Sequence, residues 1–281
     1  MGRKLFWIIC FLFSLGVVQA QRQAFVHEGE IGFTAGAAHY FGDLNNQASF
    51  KRPKQAFGVF FRKQFGNYVG VRLGIHYAQL GYADKYSTNA FQLSRNLSFN
   101  TDLWEYSLQG DFNFFRFVPG DVDYRFTPYV TLGIGSMSFD PYAYLQGEKY
   151  YLRSLGTEGQ GSVQYPDRLP YKNTSMVFPL GMGMKYNVNH NINVHLEIAY
   201  RFTDTDYLDD VSTTFAGSDI FDPQSPSYFL QDRSYEVGQV IGVAGRQRGF
   251  SAQKDQYIFA EFGISVNLSS YRCPSPSGSR R

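Results

Sequence analysis

Stretches of strand length in which apolar and polar residues alternate recur about eight times along this chain, and no other feature limits its fold so sharply. The clearest covers residues 104–114, where Trp104, Tyr106, Leu108, Phe112 and Phe114 alternate with Glu105, Ser107, Gln109, Asp111 and Asn113. Successive side chains of a strand point to opposite faces, so this segment has one greasy face and one polar face. A soluble sandwich could use the same alternation. Here the apolar faces are rich in aromatic residues, the polar faces carry charge, and the pattern repeats. Together these predict an all-β fold, a transmembrane antiparallel β-barrel of about eight strands, each crossing needing about 9 to 11 residues.

The N-terminus sets the compartment. Arg3 and Lys4 form a short basic region, residues 5–18 an apolar stretch, and Val18, Gln19 and Ala20 a cleavage pattern that leaves Gln21 first in the mature chain. This is the pattern of a removable export signal. Its apolar part, about 14 residues, is shorter than the roughly 20 that a spanning helix needs. Cys10 lies inside it, lacks the small-residue context of a lipoprotein site, and leaves with the signal. The expected organisation is a signal peptide over 1–20, a periplasmic segment over 21–29, a barrel with its loops over 30–268 and a periplasmic tail over 269–281.

Bulk composition fits a barrel. Mean hydropathy is low, at -0.30, as it must be when lipid-facing and lumen-facing residues interleave. The 27 Phe and 21 Tyr residues are numerous enough for aromatic girdles at both membrane interfaces. A net charge of +2, with no Lys/Arg-rich block, argues against a nucleic-acid partner.

Expected strands cover residues 30–41, 55–65, 68–80, 104–117, 126–137, 176–186, 192–202 and 256–268. The connections between the second and third, fourth and fifth, and sixth and seventh are short, with a Gly66-Asn67 turn and others through Pro119-Gly120 and 189–191. The remaining connections, 43–54, 81–103, 140–174 and 203–255, are long. Bacterial outer-membrane barrels have short periplasmic turns and long extracellular loops, and an even strand number leaves both termini in the periplasm. An interior of eight strands is filled by side chains. Arg62, Arg72, His76, Glu105, Asp111, Lys185, His195, Glu197, Arg201 and Glu261 are expected to point into it and to satisfy one another, leaving no wide channel. Lys63 is the one cation expected on the lipid face, near a strand end where it can snorkel.

The final strand carries a polar residue, a glycine two later and alternating apolar residues at its end, in Glu261, Gly263, Val266 and Leu268. This resembles the terminal signal read by the outer-membrane barrel-assembly machinery. Two further segments stand out. The opening strand ends in Tyr40-Phe41-Gly42-Asp43-Leu44, a Y-x-G-D-L pattern, and residues 200–212 read Tyr-Arg-Phe-Thr-Asp-Thr-Asp-Tyr-Leu-Asp-Asp-Val-Ser, including Arg201, Asp206, Tyr207, Asp209 and Asp210. With the last strand and the following Cys273-Pro274, these resemble the PorG-like outer-membrane proteins of the Bacteroidetes type IX secretion and gliding machinery. The resemblance spans residues 30–274. It implies a barrel of the Gram-negative outer membrane that attaches to a periplasmic ring built from a lipoprotein and its partner.

Cys273 is the only cysteine left after signal cleavage. In an oxidising compartment it reads as a free thiol or an intermolecular partner, against the plainer reading of a tolerated thiol. A disulfide to the ring lipoprotein is one such contact. The run Asp204, Asp206, Asp209 and Asp210 could offer carboxylates to Ca²⁺, but it lacks the glycine turn and terminal Glu of a dedicated loop. A structural loop is expected instead, with Tyr207 and Leu208 on the barrel rim and Arg201 paired with one of the acids. Lipid-hydrolase or acyltransferase chemistry would need a Ser or Asp near a His on the outer rim. His39 with Ser49 or Ser87 could be cast so, yet no nucleophile-elbow, zinc-ligand or phosphate-loop spacing is present.

The expectation is therefore a non-enzymatic component of type IX secretion, without cofactor or metal, that anchors the periplasmic ring to the outer membrane. The alternative is an OmpA-like small barrel for adhesion or envelope integrity, and the third reading a lipid-modifying enzyme.

Overall fold

The structure, a computed structural model, describes residues 26–270, with side chains described over 29–268. Eight long strands carry the alternating segments: β1 (Val26–Phe41), β2 (Lys54–Phe65), β3 (Val69–Ala83), β4 (Ser98–Asn113), β5 (Phe126–Ser138), β8 (Thr174–Asn187), β9 (Ile192–Thr203) and β10 (Gln256–Ser270). A short hairpin, β6 (Tyr142–Leu145) and β7 (Glu148–Tyr151), stands in the connection between β5 and β8 and pairs with β4 through Tyr142 and Asn100. The strand order β3-β2-β1-β10-β9-β8-β5-β4, with β3 also paired to β4, closes the sheet on itself. The pairs β1–β2, β2–β3, β3–β4, β4–β5, β5–β8, β8–β9 and β9–β10 are all antiparallel. Closure removes both sheet edges, which a sheet in lipid requires because no water is there to satisfy them. Among the described residues no helix is long and apolar enough to cross a membrane.

The period-two phase puts apolar side chains outside. Ile31, Leu73, Leu108, Leu132, Met182 and Ile264 are all exposed, on six different strands. An apolar band running round a whole surface far exceeds the patches a water-soluble monomer tolerates, and it suits the hydrocarbon of a bilayer. Aromatic rings bound the band. Tyr77 and Trp104 pack at 5.2 Å toward the long-loop end, where Phe178 also faces Phe202, while Phe126 faces Tyr186 at the other end. Lys63, on this outer face, lies two residues before the end of β2.

Two expectations need correction. The fourth strand ends at Asn113 rather than Phe117, because the Phe114-Phe115 pair breaks the alternation and Phe117 folds back, buried, with its N–H on the Asn67 carbonyl. Residues 114–125 thus make a turn as long as the connection 42–53. In the other direction β3 and β4 run past the expected ends, because Tyr82 pairs with Phe99 and both stay buried. The loop expected over 81–103 shrinks to 84–97.

Candidate functional site

The interior is mostly polar at membrane depth, where the buried Phe60 ring lies against Arg62 and Arg72, and turns apolar toward the long loops. All ten expected lumenal residues are buried, and Glu30 joins them. Four cations, Arg62, Arg72, Lys185 and Arg201, face five carboxylates, Glu30, Glu105, Asp111, Glu197 and Glu261. Arg62 reaches Glu30 at 2.5 Å and Asp111 at 2.6 Å. Arg72 reaches Glu197 at 2.7 Å, and Lys185 reaches Asp111 at 3.3 Å. His76 stands 3.5 Å from Glu261. Arg201 pairs with Glu105 at 3.4 Å and lies over the Phe259 ring. The expected pairing of Arg201 with an acid of the loop after β9 is not made, because its position in β9 aims the side chain into the lumen.

Hydroxyls and amides complete the shell. Tyr129 donates to Glu197 and Tyr257 to Glu105, each at 2.7 Å, while Ser265 and Asn193 donate to Glu30. Burying ions costs several kcal/mol each unless they are paired and hydrogen-bonded. Each of the four cations has a carboxylate within 3.4 Å, while Arg62 Nη2, Arg72 Nε, Arg201 Nη2 and Asp111 Oδ1 keep no hydrogen-bond partner among the described residues. The His195 ring fills the space left by Gly263, whose added Cβ would stand 2.1 Å from it. That packing gives Gly263 a reason within the fold. In the same strand Glu261 is lumenal, and Val266 and Leu268 face outward.

Above this network an apolar cluster plugs the mouth, including Leu44, Leu80, Phe99, Phe139, Leu208 and Phe259. The four long connections are tied over it by a web of buried charge, and the two sequence motifs meet there. Tyr40 donates its hydroxyl hydrogen to Asp209 at 2.5 Å, and the same oxygen stands 3.0 Å from Asp255 Oδ1. Gly42 is the only fit beside them, since a Cβ would lie 2.0 Å from Asp255 Oδ1 and 2.1 Å from the Tyr40 hydroxyl oxygen. The Asp43 carboxylate accepts from the Phe250 N–H, and the Asp43 carbonyl accepts from Gln92 and Arg95. Leu44 is buried.

From the second motif, Asp206 accepts from Ser212 at 2.6 Å, and Asp209 from the Val211 N–H at 2.9 Å. Asp210, at φ 66°, accepts from Thr157 and from Tyr171. Tyr207 stacks on Tyr171 at 4.4 Å, and Leu208 is wholly buried.

Residues without a periodic signature finish the web. Arg95 makes a two-pronged pair with Asp84, both contacts at 2.8 Å, and donates to the Arg248 carbonyl. Arg248 reaches Glu158 at 3.1 Å, and Glu158 accepts from Ser212 and Thr213. Burial and neighbouring acids push Asp209 and Asp255 well above the usual carboxylate range. Burial is also the largest cause at Asp206, pushed up to about 7, and at Asp210, raised to about 6 despite Arg248.

Asp206, Asp209 and Asp210 each hold their own protein donors, and among the described residues no three acidic, His or Cys side chains are grouped to hold a metal ion. The catalytic casting is not assembled either. His39 is buried against the Ser49 carbonyl and Asn45 rather than a serine hydroxyl, and Ser87 donates to Gln92. Cys273 and Pro274 lie outside the described residues, as does the expected signal peptide over 1–20.

Small outer-membrane barrels resemble this fold at low identity. Neisserial surface protein A shares 10% identity, covering 85% of this chain and 97% of its own, with a TM-score of 0.42. The attachment invasion locus protein Ail of Yersinia pestis, in complex with a heparin analogue, shares 10% over 86% of this chain and 99% of its own, at 0.39. The N-terminal β-barrel domain of Pseudomonas aeruginosa OprF shares 12% over 86% and 98%, at 0.36. No curated protein matches the sequence. A family model does match, over residues 3–217, and the chain belongs to that family, the domain of unknown function DUF6089.

Proposed function

We propose that this protein is a non-enzymatic barrel of the Gram-negative outer membrane that acts as a scaffold in the envelope, presenting a rigid cap on one side and short turns on the other. The observation that carries this reading is the doubly closed interior: paired ions fill the lumen and a hydrogen-bonded cap covers its mouth. Transport through such a barrel has no path, so work falls to its two ends. In a strain lacking the protein, the reading expects raised sensitivity to detergent and to large antibiotics, or lost surface attachment, restored by the wild-type gene. Unchanged envelope behaviour and attachment would count against it.

A second reading is favoured by one observation, the meeting of the Y-x-G-D-L and Asp-rich motifs in a single knot. Their resemblance to PorG-like proteins then supports a component of type IX secretion that anchors a periplasmic lipoprotein ring, with the barrel termini and Cys273 on the periplasmic side. Purification from the native membrane on non-reducing gels, with Cys273→Ser beside wild type, separates the two. A ring lipoprotein that co-purifies, with a reducible adduct lost in the variant, supports the anchor. A barrel free of periplasmic partners in both forms leaves the envelope scaffold.

A further inference from the structure

The long-loop end carries a cluster of cations that the cap does not use. Beside the start of β2 and the end of β3, Arg52 and Lys85 lie 5.1 and 5.3 Å from the centre of the Tyr86 ring. Lys51 donates to the Tyr86 carbonyl at 3.0 Å. Lys54 is fixed on the floor, donating to Asn100 Oδ1 at 2.6 Å and to the Leu80 carbonyl at 3.3 Å. Gly81 makes room for that ammonium, since a Cβ there would stand 2.8 Å from Nζ. Arg52, Lys54, Lys85 and Tyr86 line a cavity of about 170 Å³.

None of these four cations belongs to an ion pair of the described residues. The acids nearby are engaged elsewhere. Asp84 is held by Arg95 and the Leu97 N–H, and Asp102 accepts from Tyr77 and Gln79. Asp102 acts on Lys54 without pairing with it, Arg52 repels the same ammonium, and a polyanion relieves the repulsion of four like charges that no carboxylate of the described residues pairs with.

Height in the membrane identifies the anion. Gly81 lies four residues beyond the girdle residue Tyr77 on β3, about 13 Å of strand, which passes the hydrocarbon edge and enters the headgroup layer. We infer that this cleft binds the phosphate groups of lipopolysaccharide in the outer leaflet. Arg52 and Lys54 grip phosphate oxygens while Lys85 and Tyr86 close the outer wall. The inference rests on the outer-membrane reading with the long loops outside.

The test uses the full-length protein in detergent. Binding of phosphorylated lipopolysaccharide is measured for wild type, for Lys85→Gln and for the triple variant Arg52→Gln/Lys54→Gln/Lys85→Gln, with dephosphorylated lipopolysaccharide and inorganic pyrophosphate as comparison ligands. Each cation near an anionic lipid surface contributes about fivefold, so the triple variant should bind about a hundredfold more weakly and Lys85→Gln about fivefold. Heat-modifiable migration on gels reports that the barrel has folded. The exposed Lys85→Gln carries the test alone should the triple variant fail to fold. Equal binding by wild type and Lys85→Gln, or indifference to dephosphorylation, would overturn the inference, and pyrophosphate bound as tightly as lipopolysaccharide would overturn the lipid assignment. Surface labelling of residues 204–255 on intact cells reads the orientation separately. Failure to label, with the charge dependence intact, sinks the orientation and leaves the cleft a phosphate site.

Discussion

Tyr40, at the end of the first strand, donates its phenolic hydrogen to Asp209 in the loop after β9, 169 residues away, at 2.5 Å. The same oxygen contacts Asp255 at 3.0 Å, directly before the last strand begins. One hydroxyl thus joins the start of the barrel to both ends of its longest loop, and the two carboxylates keep only backbone donors beside it, Val211 for Asp209 and Leu208 for Asp255.

Tyr40→Phe removes that hydroxyl, leaving buried Asp209 short of a donor and Asp255 without its polar contact. Loss of such a donor costs about 1 to 3 kcal/mol. The expected result is faster hydrogen exchange and proteolysis in residues 204–255, while the barrel still migrates as a folded species before heating. Protection equal to wild type would mean that the knot does not hold the cap.

Gly42→Ala should be harsher. Its Cβ would meet both Asp255 and the Tyr40 hydroxyl oxygen within 2.1 Å, so the carboxylate or the ring must leave its place. The cap should open to protease under conditions where Tyr40→Phe still resists. A crystal structure of the variant with an undisturbed knot would refute this.

Acidification should tighten the cap. Asp206 titrates at about 7 and Asp210 at about 6 in the folded chain, against 3.8 for an ordinary Asp. Between those values the folded state holds more protons than the unfolded one, so stability falls as pH rises. The contribution is complete below about pH 4 and gone above about pH 7. Protease resistance of residues 140–174 and 204–255 should therefore increase from about pH 8 to about pH 5. The reverse trend would show that these acids are stabilised as anions.

The barrel was legible in the sequence because period two decides the face of every residue at once. From one phase per strand, the ten lumenal side chains and the outward Lys63 follow, and Glu30 was within reach too, being two residues before Gly32 on the same face. The loops carry no period. Nothing local connects Arg248 to Glu158 or Asp255 to Tyr40, whose partners are fixed only once the sheet closes. Family resemblance marked Tyr40, Gly42 and Asp209 without giving their purpose. Arg95, Glu158, Arg248 and Asp255 had no mark at all. The end of β4 was misplaced where two adjacent phenylalanines made either phase plausible.

The lipid face can be probed by depth. Leu132 sits mid-strand on the outer surface of β5 and is 65% exposed, whereas Gln79 on β3 lies beyond the Tyr77 girdle. Leu132→Arg should cost roughly 2 to 4 kcal/mol in a bilayer, and Gln79→Arg no more than about 1 kcal/mol. Urea unfolding in lipid vesicles measures both. Equal costs at the two positions would contradict the placement of the apolar band.

Asp111 is the anion on which the lumen depends most. Its carboxylate touches Arg62 at 2.6 Å and Lys185 at 3.3 Å, and Arg72 stands 3.8 Å away. Asp111→Asn keeps the shape but removes the charge, leaving three buried cations to share Glu30 and Glu197. Breaking a buried ion pair from one side typically costs about 3 to 5 kcal/mol, because the stranded partner stays desolvated. The amide also brings an N–H₂ toward the guanidinium of Arg62. The same unfolding measurement should therefore place Asp111→Asn at or beyond the cost of Leu132→Arg, although nothing on the lipid face has changed. Adding Lys185→Met to the variant removes one stranded cation and should recover part of the loss. If the double variant were no more stable than the single one, the lumen would be held by packing, and the ion network would not set its stability.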